Sequence, residues 1–186
     1  MTSSTTFNAY IFGSTRDAEQ VLQVAEGQFD RGALGVDDIA AAVWPHEDPR
    51  PTTWQEQTLG LGPLSGAFWG LFFGVTLLLP LVGPRTRRPG GLLAAVGLDD
   101  GLLDQVTALV VPGTSALFLL CTSTPTGRLS DSLTRRVIDT TTTVLDVDQG
   151  TCLRHAFGAD LTLRHLPIVR NDYGRLGGDL DRHPGR

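Results

Sequence analysis

Few residue groups in this chain combine the types and the spacing that catalysis or cofactor binding requires. Gly60-Leu61-Gly62-Pro63-Leu64-Ser65-Gly66 superficially has the form of a dinucleotide loop. Its spacing is Gly-x-Gly-x-x-x-Gly, Pro63 removes an amide donor, and no acidic residue follows about 20 positions on. His46-Glu47-Asp48 could begin a metal site, but it lies in a turn rich in proline (Pro45, Pro49, Pro51), and His155 and His165 have no fixed geometry relative to it. A solvated polar turn is the expectation there. Asp99 and Asp100, with Asp104 one turn on, read most simply as carboxylates that cap and charge a helix N-terminus; an acid–base pair would need a cleft around them. Ser65 and Ser115 lack a Gly-x-Ser-x-Gly elbow, since residues 113–117 read Gly-Thr-Ser-Ala-Leu. Cys121 and Cys152 form no Cys-x-x-Cys, and Cys121 ends the apolar run Leu117-Phe118-Leu119-Leu120 as a buried small hydrophobe. All 15 basic residues are arginine. Schiff-base lysines, phosphate-loop lysines and kinase lysines are therefore excluded. The expectation is a protein that is not an enzyme and carries no cofactor and no metal.

The spacing that does carry information is structural. Gly66, Gly70 and Gly74 stand at i, i+4 and i+8 in Gly66-Ala67-Phe68-Trp69-Gly70-Leu71-Phe72-Phe73-Gly74. On one helical face, three glycines let a second backbone approach closely, the logic of small-residue helix contacts in lipid. In water each would cost about 1 kcal/mol relative to alanine, so the pattern asks for a compensating contact. Leu59 to Pro84 contains no charged residue, and Leu64 to Gly83 has about the length that crosses a hydrocarbon core. A transmembrane helix is therefore expected, with Gly66, Gly70, Gly74, Phe68, Trp69 and Phe72 as the helix-packing and membrane residues. Arg85, Arg87 and Arg88 follow directly and, as a topogenic signal, keep that end cytoplasmic.

The elements around this segment read as two matched halves. Phe7 to Gly13 is a β-type run, followed by a helix start at Ser14-Thr15-Arg16-Asp17 and an apolar stripe of Ala18, Val21, Leu22, Ala25 and Phe29. Val36 to Trp44 reads as the next strand and Thr52 to Gln57 as its hairpin partner. Thr114 to Cys121 is a buried central strand, Pro125 opens a helix in its first turn with a stripe of Leu129, Leu133 and Val137, and Thr140 to Val147 returns as a strand. Two β-α-β units suggest an α+β class, a split ferredoxin-like βαβ…βαβ sheet interrupted by an apolar glycine-zipper helical insertion. The expected boundaries are a disordered N-terminus at 1–6, halves of one α/β domain at 7–58 and 98–148, the insertion at 59–97, and a partly disordered extension at 149–186.

A single crossing would put the two halves on opposite sides of a membrane, although they look like partners in one sheet. A re-entrant hairpin, an interfacial helix, or a helix buried in a soluble oligomer would each resolve the conflict. The second arm, Gly90 to Leu98, is too short to span alone. Gly62-Pro63-Leu64-Ser65-Gly66-Ala67-Phe68-Trp69-Gly70-Leu71, Gly97-Leu98-Asp99-Asp100 and Val111-Pro112-Gly113-Thr114-Ser115-Ala116-Leu117-Phe118-Leu119-Leu120 resemble, in this order, the signature of a bacterial family of predicted membrane proteins catalogued as domain of unknown function 1269. The resemblance covers roughly Phe7 to Asp148 and implies a similar fold and membrane association, with no activity. The chain departs from the pattern between Pro80 and Gly91, where three prolines and three arginines shorten the second helix usual in that family.

The net charge of −5 argues against nucleic acid as a partner. The N-terminus lacks the basic and apolar regions of a signal peptide, so a cytosolic start is expected. Taken together, the reading is a non-enzymatic protein at the cell membrane, its α/β domain cytoplasmic, self-associating through the glycine face. Its rivals are a soluble homo-oligomeric interaction module and a small-ligand or metal-binding enzyme.

Overall fold

The computed structural model describes residues 4–29, 35–55, 64, 66–83 and 90–158. The chain is of mixed α+β class. Strand β1 (Thr5–Phe12) leads into helix α1 (Asp17–Phe29), strand β2 (Val36–Val43) and the short strand β3 (Thr52–Gln55). An apolar helical stretch follows, made of α2 (Gly66–Phe73), a π-helical turn (Gly74–Leu78), α3 (Leu79–Val82) and α4 (Gly90–Ala95). Then come α5 (Asp100–Leu109), β4 (Ser115–Cys121), α6 (Gly127–Arg136), β5 (Val137–Leu145) and α7 (Val147–Phe157).

The strands form one sheet in the order β3-β2-β4-β1-β5, and every neighbouring pair is antiparallel. Strands from both ends of the chain meet directly, with Ala9 opposite Phe118 on one side of β4 and Ala40 opposite Phe118 on the other. β1 and β2 are parallel to each other but separated by β4, as a helical crossover between them allows. All seven residues of β4 are buried, which is why its sequence is a continuous apolar run rather than an alternation.

Each face of the sheet is covered. On one, Ala18, Val21 and Ala25 of α1 and Leu129 and Leu133 of α6 pack on Phe12, Ile39, Ala41, Leu117, Leu119 and Cys121. On the other, Phe68, Trp69, Phe72, Phe73, Val75 and Leu77 of the apolar stretch, with Leu103 and Val106 of α5 and Leu153 and Phe157 of α7, pack on Phe7, Ala9, Ala40, Ala42, Phe118 and Leu120.

This second layer corrects the expected transmembrane helix. Among the described residues no helix is long and apolar enough to cross a membrane. The helix that begins at Gly66 runs only to Val82, against the roughly 20 residues a hydrocarbon core requires. Its aromatic side chains are spent on the sheet: Phe68, Trp69 and Phe72 are 0–1% exposed. Pro80 shows how the backbone is accommodated. A proline at this position cannot donate to the Thr76 carbonyl one turn earlier. The helix widens to a π turn, in which the Leu79 amide donates to the Gly74 carbonyl, and the Thr107 hydroxyl of α5 lies between the Thr76 carbonyl, at 2.9 Å, and the Leu103 carbonyl of its own helix, at 2.7 Å, with one proton for the two. A neighbouring helix thus brings a polar group to the break.

Several boundaries differ from the sequence reading. β1 begins at Thr5, inside the stretch expected to be disordered. Pro125 precedes the N-cap, Thr126, rather than entering the first turn of α6. Val137 begins β5 instead of completing the helix, because it pairs with Phe12 of β1, with Ile138 at a bulge between it and the paired residues that follow. Within the expected extension, residues up to Phe157 form α7, closed at its start by a capping box between Asp146 and Gln149. The rest of that extension, residues 159–186, lies outside the described residues.

Candidate functional site

The apolar stretch has two chemically distinct sides, and both begin from its four-residue glycine spacing. Gly66, Gly70 and Gly74 lie away from the sheet, while Phe68, Trp69, Phe72 and Phe73 fall on the side toward it. Phe7, Phe118, Phe68, Trp69, Phe72 and Phe73 make one ring cluster, with Phe7–Phe72 and Phe72–Phe118 centroids 5.2 Å apart and the latter pair edge-on. Phe157 closes the cluster edge-on against Phe68 at 5.4 Å. Such geometry adds about 0.5–1.5 kcal/mol per pair beyond the area buried.

One ion sits inside this apolar interface. Asp38 is 2% exposed and follows a β-bulge between Val36 and Asp38, which gives its side chain to the aromatic side of the sheet. Its carboxylate accepts from the Leu64 amide at 2.9 Å, the Trp69 indole N–H at 3.3 Å and the amide of Ile39 at 2.8 Å. Burial pushes the carboxyl up to about 6 from its usual 3.8, against the lowering effect of those three donors. Asp38 therefore ties the entry of the apolar stretch and its tryptophan to β2. Leu64 also bridges to Gly158, at the end of α7, so the start of the stretch and the end of the last described helix meet. The sequence reading missed Asp38. The signal was available: two aspartates interrupt Val36–Val43, a strand otherwise built of valine, isoleucine and alanine.

The opposite side is open. A Cβ added at Gly70 or Gly74 would meet nothing within 4 Å, so the described residues supply no partner for this face, the Gly91–Gly97 arm included. Toward the end of the helix the surface becomes apolar, with Leu78, Leu81 and Val82 at i, i+3 and i+4 and Val82 79% exposed. Arg85, Arg87 and Arg88, which follow in sequence, lie outside the described residues.

The remaining chemical candidates are placed as structural groups. The Asp99 carboxylate accepts from the Leu102 amide at 2.9 Å and caps α5, while Asp100 is exposed in the first turn. His46 lies over Gly113, whose φ of 94° and whose missing Cβ leave room for the imidazole. Ser115 is fully buried; its hydroxyl donates to the Ser14 carbonyl and accepts from the Ala18 amide, joining the start of α1 to β4. Burial pushes the Cys121 thiol up to about 12, so it is no nucleophile at neutral pH. Among the described residues no three histidine, cysteine or acidic side chains gather to hold a metal ion. Residues 60–63, Ser65 and His165 lie outside the described residues.

A family model described as protein of unknown function (DUF1269) matches residues 63–158. No curated protein and no solved structure matches the chain. The matched span opens at the residue before Leu64 and ends at Gly158, the two partners of the isolated bridge. It supplies β4 and β5 but not β1, which lies between them, so the residues before it are needed to complete the sheet.

Proposed function

The chain belongs to the DUF1269 family, proteins of unknown function, and from that premise we propose that it is a non-enzymatic protein that binds the cell membrane peripherally and self-associates, with its α/β domain on the cytoplasmic side. The observation that carries this reading is the exposed apolar end of the helical stretch, where Leu78, Leu81 and Val82 are 40%, 45% and 79% exposed on one face. Three adjacent large apolar side chains cost free energy in water and gain it in a lipid interface. Arg85, Arg87 and Arg88 come next in the chain, and each arginine near an anionic surface contributes about 1 kcal/mol. Strands β5-β1-β4-β2, with α1 and α6 on one face, support the finer description of a split ferredoxin-like sheet. Residues 59–97 are then its glycine-zipper insertion, and the Gly66/Gly70/Gly74 face, open at Gly70 and Gly74, its contact with a second copy.

Co-flotation with vesicles tests the reading. The protein should float with phosphatidylcholine vesicles containing phosphatidylserine, lose binding in high salt, and lose it roughly tenfold or more in a Leu81→Asp/Val82→Asp variant, since charges are poorly tolerated at lipid depth. Gly70→Leu should leave flotation intact while breaking the contact made through the glycine face. Absence of flotation, with oligomers that Gly70→Leu dissolves, would favour the soluble interaction module instead.

A further inference from the structure

The two edges of the sheet are not alike. β3 has four residues and follows a turn containing Pro45, Pro49 and Pro51. β5 has nine, pairs among the described residues with β1 alone, and contains no proline, glycine or basic residue. Long edge strands present a row of free backbone donors and acceptors, and proteins usually blunt them. At Thr140 the backbone amide is held by the Asp139 carboxylate beside it, at 2.7 Å, as suits an amide on the outer edge of a sheet. Between Pro112 and Phe157 the exposed large apolar side chains are Ile138, Val144 and Val147, two on β5 and one just past its end.

We propose that β5 pairs with β5 of a second copy about a two-fold axis at Thr141, joining two sheets into one. The occupant follows from the strand itself. Val137-Ile138-Asp139-Thr140-Thr141-Thr142-Thr143-Val144-Leu145 has an apolar pair at each end and five polar residues between, and keeps that pattern when read backwards. Antiparallel pairing centred on Thr141 keeps each sheet face continuous across Asp139 to Thr143, because the residues opposed across the axis have the same parity. The bulge that leaves Ile138 out of the register with β1 turns Val137 to the α1/α6 face while Leu145 lies on the aromatic face, so the matched span ends at Ile138 and Val144. It sets Ile138 against Val144 of the second copy twice over, covering side chains that are 65% and 62% exposed in one chain. Asp139, the one charge in the strand, meets Thr143 of the second copy rather than its own image, so no like charges oppose. Its carboxylate exchanges the Thr140 amide for the threonine hydroxyl, and the freed amide joins the new ladder. Isologous symmetry closes the contact at two copies. This surface is separate from the glycine face and does not depend on membrane binding.

Sedimentation velocity on the full chain, with circular dichroism to verify the fold, tests the pairing. The parent should dimerise with concentration. Val144→Glu and Ile138→Arg, each at an exposed position, should each weaken the dimer roughly tenfold or more. Mixing these two variants should restore a heterodimer, because the introduced guanidinium of one then faces the introduced carboxylate of the other while the second pair stays apolar. Gly70→Leu should retain this dimer, which separates it from contact through the glycines. A parent that stays monomeric, single variants that dimerise like the parent, or a mixture that recovers nothing would each overturn the proposal.

Discussion

The two faces of the sheet are built from different materials. One is covered by α1 and α6, amphipathic crossover helices whose apolar stripes of alanine, valine and leucine meet small and branched residues of the strands. The other is covered chiefly by a stretch with no charged residue, its aromatics massed on Phe7 and Phe118 and its entry held by a buried aspartate. The first cover follows from local periodicity, each helix lying next in sequence to the strands it protects. The second comes from a segment whose composition alone is that of a membrane element. An uncharged helix is as well matched to the interior of a protein as to lipid, and the sheet supplies that interior here.

The sharpest way to break the comparison is to remove the ring at the centre of the second face. Phe72→Ala should lower unfolding free energy by about 3–5 kcal/mol, at least as much as Leu133→Ala on the first face, as judged by denaturant titration. A loss below about 1 kcal/mol would mean that the aromatic layer leaves the sheet freely, and the two faces would not be equivalent parts of one core.

Asp38 sharpens the difference next. Its carboxyl is raised from 3.8 to about 6 because burial disfavours the charge, so the native state holds more protons than the unfolded chain between those values. The group's stabilising contribution is fully present below about pH 4 and is lost as pH rises through about 6. Asp38→Asn keeps an acceptor oxygen and removes the titration. Relative to this variant, the parent should lose about 2 kcal/mol between about pH 4.5 and about pH 7.5, followed by thermal unfolding. A constant difference across that range would show that the carboxylate is solvated and that the aromatic face closes without a buried ion.

The smallest effect lies on the outer side of the same helix. Because a Cβ at Gly70 meets nothing within 4 Å, Gly70→Ala should stabilise the isolated chain by roughly 0.5–1 kcal/mol through helix propensity. Measured at dilutions that dissociate any oligomer, destabilisation would reveal a close contact on that side. The outer side would then be as packed as the inner one.

How much could be read in advance depends on the range over which each feature is decided. The apolar run Leu117–Leu120 reads as a buried central strand because both of its faces must be covered, and all of β4 is buried. Ala18, Val21 and Ala25 define the side of α1 that meets the sheet, and Asp99 caps α5, because caps and stripes act within a turn or two. Val137 escaped the same reasoning: spacing continued the helix through it, and only pairing with Phe12 of β1 ended the helix at Arg136.

Residue order is enough to put Gly66, Gly70 and Gly74 on one helical face and to crowd Phe68, Trp69 and Phe72 toward another, since a period of 3.6 residues leaves no other arrangement. Nor does anything charged interrupt Leu59 to Pro84. Which environment takes up that apolar surface is a matter of the fold. Hydrophobic transfer is non-directional and does not distinguish lipid from a protein core. The choice is made by groups distant in sequence: β1 and β4 bring Phe7 and Phe118 beneath the rings, and Asp38 on β2 meets Leu64 and Trp69. From α5, the Thr107 hydroxyl comes within 2.9 Å of the carbonyl that Pro80 leaves without its usual donor, so the break in the helix faces a polar group inside the fold.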